Sequence, residues 1–392
     1  VNTAQSRLLT ALPMPVGPAV LDVVPRLHEL LAGDATYLPV PADPDDPTST
    51  LLRDALGADR PIADDAALVV ATSGTTGTPK GAVHTARTLG ASARATASHL
   101  GGPGNWLLAL PAHHIAGLQV LLRALAAGFT PSVLDVSARF DVEEFITAAQ
   151  SFDADRRYTS LVPTQLLKVL ESSSATKVLR GFDAVLVGGA ATPAALHERA
   201  VDAGVRIVRT YGMSETAGGC VYDGVPLPGV SIRIVDPDEH GVGRVILGGA
   251  TVAHGYRNLP DHPAFAAPGW FRTDDLGHVV DGVLSIVGRA DEAITTGGLT
   301  IVPQVVEAVV LDDPSIAQCA VVGVDDERLG QRVVAVVVTA GDVRPTLDVV
   351  AGRVAERLDR YAAPRELVIV DELPTRGPGK IDRRALRTML GG

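Results

Sequence analysis

Ala67-Leu68-Val69-Val70-Ala71, then Ser73-Gly74-Thr75-Thr76-Gly77-Thr78-Pro79-Lys80-Gly81, then a helix-like segment at 86–100: this succession decides how the chain reads. The apolar run is β-like. The nine residues after it hold three glycines, four hydroxyls and one lysine. Glycines let the backbone turn tightly and approach a ligand, hydroxyls donate hydrogen bonds, and the lysine brings charge. That is the chemistry of a loop wrapped around polyphosphate. The pattern is not G-x-x-x-x-G-K-[ST], because Pro79 precedes Lys80 and Gly81 follows it. The alternative is an ordinary surface turn, which uses the same residue types.

Outward from the loop, strand-like and helix-like runs alternate from 66 to about 210. Strands are expected at 67–71, 106–110, 132–134, 158–162, 184–187 and 205–208. Helices are expected at 115–127, closed by Gly128, and at 194–203, opened by Thr192 and Pro193 and closed by Gly204. Such alternation predicts a largely parallel sheet covered on both faces, with ligands beyond the strand C-termini. Residues 1–65 are weakly patterned, with an amphipathic helix at 21–32 and a turn-rich connector at 39–47.

After 220 the pattern becomes short strands with Gly or Asp turns, at 230–235, 244–247, 270–273, 278–280 and 283–287. From about 292 a small α+β unit follows. Its helices are expected at 303–311, 347–360 and 383–390, and its strands at 317–324, 332–338 and 366–370. The fold class is α/β. A large N-terminal domain, 1–290, has parallel-type sheets covered by helices and a β-rich subdomain at about 221–290. A small α+β C-terminal domain is expected at 291–392.

The chain has 392 residues and a net charge of −11, which argues against nucleic acid or an anionic membrane as main partner. Cys220 and Cys319 read as reduced, buried thiols of a cytoplasmic protein, and no metal-ligand spacing is present. Asp22, Arg26 and several prolines argue against a signal peptide near the start. A homodimer is left open. Lys and Arg together number 34, of which only Lys80, Lys168, Lys177 and Lys380 are lysines. Lys80 and Lys380 both lie in glycine-rich loops, where Lys and Arg are not equivalent.

Further stretches carry chemistry. Leu110-Pro111-Ala112-His113-His114-Ile115-Ala116-Gly117 ends a strand and begins a helix; its histidines serve either a ligand or the packing. Gly188-Gly189-Ala190-Ala191 is a tight βα turn or a flat floor for a planar ring. Tyr211-Gly212-Met213-Ser214-Glu215-Thr216 offers an aromatic face for stacking and a carboxylate suited to Mg²⁺. Arg272-Thr273-Asp274-Asp275-Leu276 sets two acids side by side near a strand end. Extended backbone sends them to opposite faces, so only one meets a ligand. A carboxylate there can accept from both hydroxyls of a ribose. Thr375-Arg376-Gly377-Pro378-Gly379-Lys380 is a glycine-rich loop near the C-terminus, or simply a tail before the last helix.

These motifs, with Gly288-Arg289-Ala290-Asp291, occur in an order and spacing that resembles the superfamily of adenylate-forming enzymes. That superfamily comprises acyl-CoA synthetases, nonribosomal-peptide adenylation domains and luciferases. The likeness covers about 66–392. Within it, Leu161-Val162-Pro163-Thr164-Gln165-Leu166, the turn Val187-Gly188-Gly189-Ala190 and the short N-terminal portion resemble the branch joining o-succinylbenzoate to CoA in menaquinone synthesis. Rival readings are another aryl- or acyl-CoA ligase, an adenylating enzyme that loads a carrier protein, and a nucleotide-binding module without turnover.

The resemblance implies ATP and CoA as co-substrates, Mg²⁺, an acyl-adenylate intermediate and an aromatic carboxylate substrate. It implies that Lys380 contacts the α-phosphate and the attacking carboxylate. Ser73, Gly74, Thr75, Thr76, Gly77 and Lys80 would hold the β,γ-phosphates, and Glu215 with Thr76 the metal. Tyr211 and Gly212 would meet adenine beside Gly189 and Ala190, with Thr216 close to the nucleotide, and Asp275 with Arg289 would hold the ribose. Where the superfamily usually has Gly before the ribose acid, this chain has Asp274. The acyl pocket is expected around His113, His114, Thr164, Lys168, Gly188, Gly189 and Ser214, with His114 also catalytic. Lys168 is the candidate for a remote carboxylate, or else a solvated surface lysine. Asp291 matches a hinge about which the small domain swings, exchanging Lys380 for a pantetheine tunnel lined by Gly297 and Gly298.

Overall fold

The computed structural model describes residues 7–72, 78–137, 139–152, 154–376 and 380–391. The chain divides into two units, 1–233 with 246–272, and 234–245 with 273–392.

The first unit holds two sheets. In the first, β1 (Leu9–Met14), β2 (Thr36–Pro41), β3 (Ala66–Ala71) and β4 (Gly81–Thr85) lie side by side in that order. β1 and β2 run parallel, whereas β3 and β4 are antiparallel. The weakly patterned start is therefore part of the sheet, and the expected connector at 39–47 contains the last three residues of β2 and the first residue of a helix. Proline blurred that strand in the sequence. Pro39 pairs opposite Leu12 on β1, and the register with β3 is the single pair Tyr37↔Leu68, so few ladder bonds are at stake there. The expected helix at 21–32 is a 3₁₀ turn at Gly17–Val23 followed by α1 (Val24–Ala32), closed by Gly33 in the left-handed conformation. Asp46 then caps α2 (Pro47–Leu56) by accepting from the Thr48 amide.

The helix expected at 86–100 is present as α3 (Ala86–His99), but the unforeseen strand β4 comes before it and pairs antiparallel with β3, with Ala71 opposite Gly81 and the Thr72 amide donating to the Lys80 carbonyl at 2.8 Å. A side chain at Gly81 would come within 2.7 Å of Val69 and 2.9 Å of Leu56, so only glycine fits beneath the hairpin. At the start of α3, Thr85 and Thr88 form a reciprocal cap.

The second sheet has β5 (Asn105–Leu108), β6 (Ser132–Val133), β7 (Arg157–Leu161), β8 (Ala184–Val187), β9 (Ile207–Met213), β10 (Gly218–Tyr222) and β11 (Val225–Pro226) in the order β11-β10-β9-β8-β7-β5-β6. Pairings from β6 through β9 are parallel, and β10 turns back antiparallel onto β9. Helices α4 (Ile115–Ala126), α5 (Val142–Gln150), α6 (Pro163–Glu171), α7 (Ser173–Leu179) and α8 (Ala194–Asp202) accompany it. Alternate strand residues supply two cores. Trp106, Leu108, Tyr158, Ala184 and Leu186 join one; Leu107, Leu161, Val185 and Val187 join the other with Phe145, Leu166 and Phe182. Burial on both faces makes these strands read as unbroken apolar runs.

β12 (Val230–Val235), β13 (Gly243–Gly249), β14 (Trp270–Val280) and β15 (Val283–Arg289) form a sheet in that order, and the chain passes from one unit to the other within it. Two strands expected at 270–273 and 278–280 are one, with a register shift between Leu276 and Gly277. In the second unit, β16 (Ile294–Thr296) and β17 (Leu299–Ile301) form a hairpin, followed by α9 (Pro303–Val310), β18 (Ile316–Asp326), β19 (Gly330–Thr339), α10 (Leu347–Arg357) and β20 (Glu366–Ile369). β18 and β19 bury both faces: Cys319, Val321, Val333, Ala335 and Val337 pack with Val306, Val310, Val350 and Val354, while Ala320, Val322, Val324, Val334 and Val336 pack with Leu373 and Leu386. The short pair β21 (Thr375–Arg376) and β22 (Lys380–Ile381) leads to α11 (Arg383–Met389). Cys220 and Cys319 are free and buried, as expected.

Candidate active site

Ser73, Gly74, Thr75, Thr76 and Gly77 lie outside the described residues, as does Gly379. Both feet of the loop are described. Thr72 carries a buried hydroxyl with no hydrogen-bond partner among the described residues. At the other foot the Asn258 side chain accepts from the Gly81 amide at 3.3 Å and donates to the Pro79 carbonyl at 2.9 Å. Backbone bonds extend this clamp: Val83 donates to Gly255, His254 to Val83 and Arg257 to Gly81.

That same segment carries Tyr256, which sequence reading missed. Its hydroxyl donates to Glu215 Oε1 at 2.6 Å, and Lys80 Nζ lies 4.9 Å from its ring centroid. The available signal was an aromatic beside Arg257 and Asn258 in a Gly- and Pro-bounded stretch of a chain with only six tyrosines.

Glu215 sits in a buried 3₁₀ turn, Ser214–Thr216, at the end of β9. Tyr211 and Gly212, expected after a strand, lie within β9, opposite Val221 and Gly219 of β10. Four bonds fix the turn. Ser214 Oγ donates to the Ala71 carbonyl, Thr216 Oγ1 to the Gly218 carbonyl, the Ala253 amide to the Glu215 carbonyl, and His84 Nε2 to the Ser214 carbonyl at 2.7 Å. Ala217 completes it in the left-handed region, φ 54°, with its carbonyl accepting from Ser92 and Gln119. His84 is fully buried, and burial lowers its pKa to about 4 even though the bond to Ser214 favours the charged form. It is neutral, with its proton on Nε2 and its Nδ1 3.2 Å from the Thr88 hydroxyl. Burial likewise pushes the Cys220 thiol up to about 12, against a hydrogen bond from Thr216. It is not a nucleophile.

His113 and His114 occupy the β5–α4 turn, their rings 4.2 Å apart. His114 caps α4 by backbone, accepting from the Leu118 amide. Burial lowers the pKa of His113, and the charge of Asp46 partly offsets this. Gly117 packs against Pro111, whose carbonyl oxygen would lie 2.3 Å from an added Cβ. Gly188 follows β8 so closely to β9 that a Cβ would meet Thr210 Oγ1 at 2.3 Å. Gly189 takes φ 83°, and Ala190 beside it is exposed. On α6, Gln165 is buried and donates to the Ala109 carbonyl, whereas Thr164 and Lys168, one turn apart, are exposed.

In the second unit Asp275 is buried and its amide donates to Thr273 Oγ1 at 3.0 Å. Asp274 is 55% exposed and lies 3.1 Å from Arg244 and 3.8 Å from Arg289. Of the adjacent acids, one is inside and one outside. Arg289 lies opposite Asp275 in register and 3.4 Å from its carboxylate, and forks onto Asp291 at 2.9 and 2.8 Å. Burial disfavours the Arg289 charge, but the bonds to Asp291 and the charges of Asp275, Asp291 and Glu292 outweigh it and raise its pKa. Gly297 and Gly298 form the β16–β17 turn with φ 56° and 82°. Lys380 is half-buried on β22, three residues before Arg383. Arg383 is buried, donating to Glu292 at 2.8 Å, to Glu307 at 3.1 Å and to the Val321 carbonyl at 3.0 Å.

The donor set suits magnesium. Mg²⁺ takes one or two carboxylates and otherwise waters and substrate phosphates. Glu215 supplies one buried carboxylate, and the described residues hold no cluster of three or more His, Cys, Asp or Glu fit for an all-protein metal cage.

Comparison with known proteins identifies the family of the chain. The family described as AMP-binding enzyme matches residues 13–257, and AMP-binding enzyme C-terminal domain matches 305–380. A Mycobacterium tuberculosis protein named probable 2-succinylbenzoate–CoA ligase is 51% identical over 389 residues, 98% of this chain and 99% of that one. ATP-bound MatB from Rhodopseudomonas palustris superposes with a TM-score of 0.82 at 24% identity, covering 99% of this chain and 89% of its own. The o-succinylbenzoate CoA synthetase of Bacillus subtilis, in complex with its acyl-adenylate intermediate OSB-AMP, gives a TM-score of 0.72 at 26% identity, covering 98% and 83%.

Proposed function

The chain belongs to the family of AMP-binding enzymes, and we propose that it activates 2-succinylbenzoate with ATP and passes the acyl group to CoA. The observation that carries this reading is the 51% identity, over 98% of the chain, to a relative named for that activity. In the first half-reaction a substrate carboxylate oxygen attacks the α-phosphorus, the bond to the β-phosphate oxygen breaks, and pyrophosphate leaves. In the second, the CoA thiolate attacks the acyl carbonyl and AMP departs.

Catalysis of the first step rests on fixed positive charge where phosphate charge develops. Lys80 and the loop 73–77 orient the β,γ-phosphates, and Lys380 acts at the bond being made. Glu215 and Thr76 would hold a magnesium ion, whose charge would offset that of the phosphates. Tyr211 stacks on adenine beside Gly189 and Ala190, next to Gly212 and Thr216. Asp275 takes the ribose hydroxyls with Arg289, because its carboxylate is the inward one of the pair. His113, His114, Thr164, Gly188, Gly189 and Ser214 line the acyl side, and Lys168 meets the remote carboxylate.

We assign 1–290 to ATP and acyl binding and 291–392 to the unit that bears Lys380, with Asp291 as hinge and Gly297 and Gly298 serving the thioester step. The enzyme works in the cytoplasm on a small aromatic acid, with no nucleic acid or membrane partner. An ATP–pyrophosphate exchange screen over 2-succinylbenzoate, benzoate and fatty acids, repeated with CoA, tests the proposal. Exchange that ignores the remote carboxylate, or no thioester with free CoA, would overturn the substrate or the acceptor respectively.

A further inference from the structure

Lys80 and Glu215 carry opposite charges, and both touch one side chain through different parts of it. The Lys80 ammonium lies 4.9 Å from the Tyr256 ring centroid, and the Glu215 carboxylate accepts from the Tyr256 hydroxyl at 2.6 Å. An aromatic face attracts a cation and a phenol donates to an anion, so one tyrosine satisfies both without neutralising either. The ring itself has little freedom. It is 4% exposed, packs with Val252 and Phe271, and meets His262 and Phe265 edge-on at 4.9 and 5.0 Å. Its backbone is equally bound, between Gly255, which accepts from Val83, and Arg257, which donates to Gly81. Asn258, two residues on, holds Pro79 and Gly81 at the foot of the loop.

We propose that Tyr256 is a positioning residue that presets the phosphate-loop lysine and the acid at 215 for the triphosphate and its cation. The inference rests on the reading of Lys80 and Glu215 given above. The ring face presets the lysine, and the hydroxyl presets the carboxylate. Removing the hydroxyl alone therefore weakens the magnesium-dependent part of nucleotide binding, while removing the whole ring weakens the magnesium-independent part as well.

The test is calorimetric titration of the full chain with α,β-methylene-ATP, in EDTA and in saturating Mg²⁺, with thermal unfolding recorded alongside. Tyr256→Phe is expected to keep its Kd in EDTA and its Tm close to wild type while losing about tenfold of the affinity gained with Mg²⁺. Tyr256→Leu is expected to weaken binding in EDTA about threefold or more in addition. An unchanged Mg²⁺-dependent gain in Tyr256→Phe would overturn the proposal, as would a parallel loss in both conditions with a lowered Tm, which marks packing alone. If the wild-type chain binds no nucleotide in either condition, the functional reading fails, and this inference falls with it.

Discussion

His84 offers a sharp test of how the acidic turn is held. The perturbation is proton uptake: the folded protein keeps this imidazole neutral, with its pKa lowered from 6.5 to about 4 by burial, whereas an unfolded chain protonates it near 6.5. Between those values the unfolded state binds more protons, so stability is fully present above pH 6.5 and is lost as pH falls toward 4. One pKa unit corresponds to about 1.36 kcal/mol, so the group's share of the loss is about 2 kcal/mol at pH 5 and about 3 kcal/mol at pH 4. Urea unfolding followed by tryptophan fluorescence measures it cleanly, because Trp106 and Trp270, the only two tryptophans, both lie in the unit that carries His84. His84→Gln keeps a donor for the Ser214 carbonyl but does not titrate. From pH 7.5 to 5 the variant should lose about 2 kcal/mol less stability than wild type. His113, whose pKa is also lowered, titrates in both proteins and cancels. Identical pH dependence in the two would refute the assignment of His84 as a buried neutral strut.

Other outcomes follow from the proposed roles. Lys380→Ala should abolish carboxylate-dependent pyrophosphate exchange yet still form thioester from pre-made acyl-adenylate; an equal loss of both half-reactions would remove the lysine from the first step. Asp275→Asn should raise the KM for ATP by roughly 10- to 100-fold, the worth of hydrogen bonds to a charged group, whereas Asp274→Asn should stay within about twofold. Steady-state kinetics with ATP varied decides between the two acids. Lys168→Ala should raise the KM for 2-succinylbenzoate about tenfold or more while leaving benzoate nearly unchanged, and equal effects would place Lys168 in solvent.

Much of the architecture was legible because it is local. Gly128 and Gly204 take the left-handed conformations that close helices, and the apolar runs at 184–187 and 317–324 are strands buried on both faces. The Asp274–Asp275 pair could be read as one acid in and one out, since a strand alternates its side chains with period two. Local signals failed where a partner strand does the work. The stretch Gly81–Thr85 has little β character of its own and is a strand because β3 and the segment at 254–257 bind it from both sides. The prolines in Thr36–Pro41 hid a strand that pairing with β1 supports.

By itself the sequence determined the chemical inventory: a glycine and hydroxyl loop with Lys80, an acid after an aromatic, an adjacent pair of acids at 274–275, and Lys380 beside the C-terminal glycines. Only the tertiary structure decided which side chains hold that inventory in place. His84 reaches the Ser214 carbonyl across 130 residues, and Asn258 reaches Pro79 across 179. Tyr256 meets Glu215 across 41. Periodicity and turn chemistry report on neighbours within one element, whereas these bonds join elements far apart in the chain. Hence the loop that opens the reading could be recognised from its composition, but what clamps its foot and holds its lysine could be seen only once the chain had folded.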